Sequence, residues 1–156
     1  MVQMDDAASP PDGRIAEGGN HTHNRAATET AMAIVSLKEI RQPVGETGAA
    51  LGAEDHGGMS IISHSWPAGF DVTDMLRTVA GEMLCPNPHY IVVTKGKLGI
   101  RYVEDGSEEQ CAVGQVAYMR PGHTCWAIED LEMVELCPAD GNNFLFGRIA
   151  AAGLLG

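Results

Sequence analysis

The second half of the chain consists of short apolar segments in which apolar and polar positions alternate. From Met59 onward, segments of five to eight residues are separated by turn residues, with no helical pattern between them. A period of two is typical of strands with one buried face. The pattern predicts strands over residues 59–66, 89–94, 98–103, 107–113, 115–119, 123–128, 131–136 and 143–149.

The residues between these segments are those that favour tight turns. Pro67 to Gly69, Lys95-Gly96 and Arg120 to Gly122 each follow a predicted strand. Asp105-Gly106 predicts a hairpin, because glycine tolerates the positive φ of tight turns. Strands at this spacing predict an all-β fold, either an antiparallel sandwich or a jelly-roll barrel.

The first part of the chain differs in composition and lacks this strand pattern. Residues 1–30 contain few large apolar side chains, so ordering them would bury too little surface to offset the lost entropy, and a disordered tail is predicted. Residues 31–40 predict a strand followed by a helical turn, and residues 42–58, rich in Gly and Ala, predict loops. One folded domain over residues 31–156 is therefore expected after the tail.

Strand alternation also predicts which side chains share a face. His89 lies on the face of Ile91 and Val93, and His123 lies on the face of Cys125. If both strands line one barrel, its interior holds two imidazoles and a thiol. This prediction depends on strand register, because a one-residue shift reverses every side chain.

Charge and composition exclude several classes of partner. The net charge is −11 and the 10 Lys and Arg residues are scattered, which disfavours binding to nucleic acid or to an anionic membrane surface. No apolar run reaches the roughly 20 residues of a spanning helix, and the first residues do not resemble a signal peptide. A cytoplasmic location is expected, with the four cysteines reduced.

Two stretches of the sequence resemble the motifs of the cupin superfamily. The first motif of that family ends with an acidic residue, six positions and a glycine, and HYIVVTKG (His89 to Gly96) is similar to it. The second begins at a glycine and passes through a Pro-x-Gly turn to an inward histidine, and GQVAYMRPGHTCW (Gly114 to Trp126) is similar to that. The resemblance covers about residues 59–138. It implies a cupin-type double-stranded β-helix, that is, a jelly-roll barrel, as in small single-domain bacterial cupins.

The ligand positions of metal-dependent cupins are occupied by other residues in this chain. The family glutamate corresponds to His89, and the second-motif histidine corresponds to Cys125. The family His-x-His pair falls on Glu82 and Leu84, or on Met83 and Cys85, depending on a one-residue gap. The resemblance therefore implies a barrel whose standard iron or manganese ligands are absent.

A different metal site can be assembled from the residues present. Cys85, His89, His123 and Cys125 supply two thiolates and two imidazoles, which suit Zn²⁺ or another thiophilic ion. A divalent ion (Zn, Fe, Mn or Ni) is the predicted cofactor, with plain packing of the cysteines as the alternative. His89, His123, His64 and Tyr118 are the predicted lining of a ligand pocket.

Three functions remain open at the level of the sequence. The first is a small-molecule-binding cupin with a metal held by His and Cys. The second is a metal-dependent or acid/base enzyme of the isomerase, lyase or oxygenase class, acting on a small polar substrate. The third is a structural β-barrel subunit. A homodimer is predicted in each case, through edge strands at residues 59–66 and 143–149, because pairing removes exposed edges.

Overall fold

The computed structural model describes residues 33–81 and 84–155, so the predicted tail of residues 1–30 lies outside the described residues. The chain divides into two units, Met1–Ala31 and Met32–Gly156, and the fold is that of the second unit. Its described elements are β1 (Gln42–Pro43), β2 (Ala50–His56), β3 (Met59–Trp66), α1 (Thr73–Ala80), β4 (His89–Lys95), β5 (Lys97–Tyr102), β6 (Glu108–Ala112), β7 (Val116–Met119), β8 (His123–Ala127), β9 (Leu131–Pro138) and α2 (Ala139–Ala151).

The strands form two antiparallel sheets that face each other. The larger sheet has the order β1-β2-β3-β9-β4-β7 and the smaller one β6-β5-β8. The inward faces of β3, β4, β5, β8 and β9 form the core, and the alternation predicted for β4 is observed, with His89, Ile91 and Val93 buried. The predicted all-β class is thus confirmed.

Gly96 carries the chain from the larger sheet to the smaller one. It alone separates β4 from β5 and has a φ of +73°. A Cβ atom at this position would lie 2.1 Å from the carbonyl oxygen of Asp130, so a side chain would strain the backbone and collide with the loop before β9. The glycine that ends the first cupin-like motif therefore has a steric function at the sheet junction.

Residues 50–56 form a strand, so the prediction of loops over residues 42–58 was wrong. Two adjacent glycines, Gly57 and Gly58, have φ values of +58° and +76° and join β2 to β3, with His56 paired to Met59. Positive φ at both central positions is typical of the tightest hairpin turns. The Gly-Gly pair was the available signal for a hairpin, but the small residues of β2 made that segment resemble a loop.

Residues 143–149 lie in a helix, so the strand predicted there was also wrong. In α2 the inward residues are Asn142, Leu145, Phe146 and Ile149, spaced by three or four positions as on one face of a helix. α1, for which the strand pattern made no prediction, likewise directs Leu76 and Val79 inward, and its N-cap residue Val72 is also buried. Neither described helix is long and apolar enough to cross a membrane.

The edge strands named for dimerisation were incorrect as well. β3 lies inside the larger sheet, between β2 and β9, and the segment 143–149 is helical. The short N-terminal segment shows the predicted helical turn, in which Glu39 and Ile40 donate to the carbonyl oxygen of Ser36, but residues 33–36 form no strand.

Candidate metal centre and ligand cavity

A buried glutamate at the middle of the larger sheet organises the site. Glu135 points inward from β9, and its main-chain neighbours across the sheet are Ile62 on β3 and Ile91 on β4. One diagonal step away on each side are His64 and His89, within reach of a long side chain. His64 Nε2 donates to Glu135 Oε2 over 3.0 Å, and His89 Nδ1 lies 2.6 Å from Glu135 Oε1, at ion-pair distance.

The other ring nitrogen of His89 contacts a thiol. His89 Nε2 lies 2.9 Å from the Sγ atom of Cys85. Cys85 is held in place by the smaller sheet, because its backbone N–H donates to the carbonyl oxygen of His123 and its carbonyl accepts from Gly122. This pairing with β8 brings Cys85 next to His89, the first residue of β4.

His123 completes this group from β8. Its ring lies edge-on to that of His89, with 5.0 Å between centroids, so the predicted proximity of the two imidazoles is observed. His123 Nδ1 donates to the carbonyl oxygen of Arg120 over 2.6 Å. Because Nδ1 is engaged by this carbonyl, Nε2 is the ring nitrogen that remains for Cys85 or for a metal ion.

The charges of these buried groups support one another. Burial opposes the thiolate of Cys85, but hydrogen bonds from His123 and His89 outweigh it and lower the pKa of Cys85 to about 6. Burial likewise disfavours the imidazolium of His89, yet the charge of Glu135 and hydrogen bonds with Cys137 and Cys85 raise its pKa to about 12. Burial also disfavours the Glu135 carboxylate, but His89 and His64 hold its pKa well below the usual range. The result is a row of alternating charge, carboxylate, imidazolium and thiolate.

Two groups of potential metal ligands occur among the described residues. The ligand atoms of Cys85, His89 and His123 all lie within 4.8 Å of one another, and the same holds for His89, Glu135 and Cys137. All of these side chains are buried. A thiolate with two imidazoles is a donor set that suits Zn²⁺, so the first group fits a bound metal ion.

Two of the predicted site residues are placed differently from the prediction. Cys125 lines the cavity but is not a member of either ligand group, and burial raises its pKa well above the ordinary value. Tyr118 is 55% exposed and packs on Tyr90 at the outer face of β7, because Ala117 and Met119 take the inward positions of that short strand. Glu82 and Met83, onto which the family His-x-His pair can fall, lie outside the described residues.

A cavity of about 70 Å³ adjoins the group, with Cys85, His89 and His123 on its wall. His64, Glu135 and Asn142 add polar atoms, whereas the remaining lining is largely apolar and includes Trp66, Met133 and residues from both helices. Since one water molecule needs about 10–15 Å³ of such space, the cavity has room for several waters or one compact molecule. The barrel is therefore not filled by its own side chains.

Glu135 is the central residue that the sequence analysis missed. It shares strand parity with Leu131, Met133 and Cys137, all of which are buried. A lone acidic residue on an apolar strand face costs free energy unless it has a charged partner, and that was the available signal. Its partners lie on two other strands and are not evident from the local sequence.

Comparisons with known proteins support the fold. No family model matches the chain, and no curated protein sequence matches it. Among solved structures, an RmlC-like cupin from Shewanella frigidimarina has a TM-score of 0.50 and 8% identity, covering 71% of this chain and 94% of that one. Oxalate decarboxylase from Bacillus subtilis has a TM-score of 0.51 and 12% identity, covering 70% of this chain but 31% of the enzyme.

Another structure of that decarboxylase, which concerns its Mn(II) centres, has a TM-score of 0.52 at 11% identity. At such low identities the likeness concerns the backbone alone. The protein is a small antiparallel double-sheet barrel with a buried His, Cys and Glu cluster. Its fold is the cupin fold, as the two sequence motifs predict.

Proposed function

We propose that this chain is a small-molecule-binding cupin that holds a divalent metal ion through Cys85, His89 and His123. The observation that carries the proposal is that the ligand atoms of Cys85 and His89, at the start of β4, and of His123, on β8, converge within 4.8 Å at the wall of a cavity. Three protein ligands with a fourth position facing a cavity are typical of metal sites that bind a further molecule. Zn²⁺ is favoured among Zn, Fe, Mn and Ni because of the thiolate.

The surroundings of the ligands suit this role. His123 presents Nε2 because Nδ1 is engaged by Arg120, and Glu135 lies behind Nδ1 of His89. Metal-binding histidines in proteins commonly have such a carbonyl or carboxylate partner on the other ring nitrogen. When bound, the ion supplies Lewis acidity to a molecule in the cavity.

Metal binding requires a small local change. Sulfur and nitrogen ligands of one tetrahedral zinc ion lie about 3.6 Å apart, from bond lengths of about 2.3 and 2.0 Å. The present separation of Cys85 Sγ and His89 Nε2 is 2.9 Å. The hydrogen shared by this pair must leave, and the two atoms must move apart, as the ion enters.

The proposal is tested by elemental analysis of the full-length protein purified without affinity tags or chelators and then exposed to Zn²⁺. We expect one zinc per chain, and we expect His89→Ala to weaken zinc binding by more than about 100-fold, since loss of even an outer partner costs 10–100-fold. His56→Ala removes an exposed histidine and is the matched control. Substoichiometric zinc that is unchanged in His89→Ala would contradict the metal site.

A second candidate function is acid/base or nucleophilic catalysis by the same residues without a metal. The observation that favours it is the contact of 2.9 Å between Cys85 and His89, backed by Glu135 at 2.6 Å from the other ring nitrogen. A thiol, a base and a group that orients the base form a recurring arrangement for activated nucleophiles. The two functions differ in whether the Cys85 sulfur binds a zinc ion or attacks an electrophilic substrate.

We further propose that the homodimer forms through the β7 edge of the larger sheet, with the exposed side chains of β4 and β7 beside it, rather than through the edges named from the sequence. Tyr90, Val116 and Tyr118 are each more than half exposed there, and β7 is an edge strand of the larger sheet. A second copy of the chain fits this patch, because pairing two β7 edges continues the sheet. The patch is uncharged, whereas the net charge of −11 carried by the rest of the chain opposes association through other surfaces.

Light scattering tests the dimer with two variants. Tyr118→Lys places two like charges across the proposed interface and is expected to yield a monomer, whereas Val103→Lys, at another exposed apolar position, leaves the dimer intact. A wild-type monomer, or a dimer that persists in Tyr118→Lys, would contradict this interface.

A further inference from the structure

His64 is a buried polar residue of the cavity wall that lies outside the proposed metal ligands. It is 6% exposed, and its Nε2 donates to Glu135 Oε2. Its other ring nitrogen, Nδ1, is buried and has no hydrogen-bond partner in the described structure. Because a carboxylate oxygen accepts, Nε2 carries the hydrogen of this bond, and in the neutral form of the ring Nδ1 is then an acceptor.

An acceptor of this kind needs a donor. Nearly all buried polar atoms in folded proteins have a hydrogen-bond partner, because an unpaired one costs about 1–3 kcal/mol. The neighbours of His64 on the inward face of the sheet are Leu51, Ile62, Trp66 and Met133, and the Trp66 ring lies roughly perpendicular to the imidazole at 5.2 Å between centroids. The cavity, which His64 lines, is the remaining source of a donor.

The rest of the cavity restricts what that donor can belong to. Among the described residues its lining includes no lysine or arginine, so an anionic group on the ligand finds no such counter-ion there. Met75, Leu76, Leu145 and Phe146 from the two helices present an apolar wall to the body of the ligand. The volume of about 70 Å³ limits the ligand to a compact molecule.

We propose that the cavity binds a small, mainly aliphatic molecule carrying a hydroxyl group, and that His64 Nδ1 accepts the hydrogen bond from this hydroxyl. The inference rests on the small-molecule cavity of the proposed function but does not require the metal ion. It gives His64 the role of a specificity-determining residue, held in the acceptor tautomer by Glu135.

The experiment compares butan-2-ol with butan-2-one, which have the same heavy atoms but differ in the hydroxyl donor. Binding is followed in the full-length protein by NMR of ¹³C-labelled methionine methyl groups, because Met75, Met119 and Met133 line the cavity whereas Met59 lies on β3 away from it. We expect both probes to shift the cavity methyl signals, with the alcohol binding about fivefold more tightly.

The informative variant is His64→Gln. The glutamine amide can still donate to Glu135 where Nε2 does, but its oxygen is bonded to Cδ, one bond farther from the backbone than Nδ1. The acceptor at the position of Nδ1 is therefore lost, and the preference for the alcohol is expected to disappear. His56→Gln, on the exposed end of β2, is the matched control and keeps the preference. The comparison of the two probes in the wild-type protein remains decisive if His64→Gln folds poorly.

Each outcome bears on the inference. Equal affinities of the two probes in the wild-type protein, or a preference that survives in His64→Gln, would overturn it, since water would then satisfy Nδ1. If neither probe shifts the cavity methyl signals while zinc still binds, the ligand inference fails and the metal site stands. Failure of both zinc and probe binding would remove the proposed function itself.

Discussion

The Glu135→Gln variant is expected to lower the free energy of unfolding by about 3–5 kcal/mol, the usual cost of removing one partner from a buried charge pair. Glu135 faces His64, His89 and Cys137, and its carboxylate contacts the two histidines at 3.0 and 2.6 Å. Glutamine keeps the size of the side chain but leaves the charge of His89 without its counter-ion. Chemical denaturation at pH 6 measures the effect.

The matched control is Glu129→Gln, which makes the same chemical change at the surface. Glu129 is 56% exposed and lies 3.6 Å from Lys97, so its loss should change stability by less than about 1 kcal/mol. Equal effects of the two substitutions would contradict the central role assigned to Glu135.

The difference between wild type and Glu135→Gln should also depend on pH. The pKa of Glu135 is lowered in the folded protein, so the stability that it contributes is present above its ordinary pKa of 4.5 and is lost as the pH falls further. The pKa of His89 is raised from 6.5 to about 12, so its contribution is complete below pH 6.5 and declines as the pH rises. The difference is therefore largest between about pH 4.5 and 6.5, and a difference independent of pH would argue against the ion pair.

In the metal-free protein at pH 7, iodoacetamide is expected to modify Cys85 at least about tenfold faster than any of the other three cysteines, because the thiolate is the reacting form. Its pKa is about 6, since hydrogen bonds from His123 and His89 outweigh its burial, whereas burial raises the pKa of Cys111, Cys125 and Cys137. Peptide mapping by mass spectrometry measures all four in one sample, so the other three cysteines are internal controls.

The rate at Cys85 should rise with pH through about 6 and then level off. His89→Gln removes the imidazolium, so the midpoint should move toward the ordinary thiol value of 9.0. If zinc occupies the site, adding it before iodoacetamide should suppress labelling of Cys85. Labelling that begins at another cysteine, or a midpoint near 9.0 in the wild type, would contradict the paired thiolate.

The fold could be predicted from the sequence because period-two alternation and turn residues are local properties. The inward positions of His89 and His123 followed from parity within their own strands, and Gly96 and Gly122 marked the motif turns. Sequence reasoning failed where local chemistry was ambiguous. Small residues concealed β2, and the apolar run at 143–149 was assigned a period of two although its inward residues are spaced by three and four.

The sequence by itself determined that this chain forms antiparallel strands and that histidine and cysteine side chains point into the barrel. Only the tertiary structure decided which of them meet. Glu135, His64 and His89 lie on three strands that are distant in sequence, and Cys85 reaches His89 because its backbone pairs with β8 of the other sheet. Contacts of this kind depend on strand order and register, which arise when both sheets bury their apolar faces together, and no local pattern specifies them.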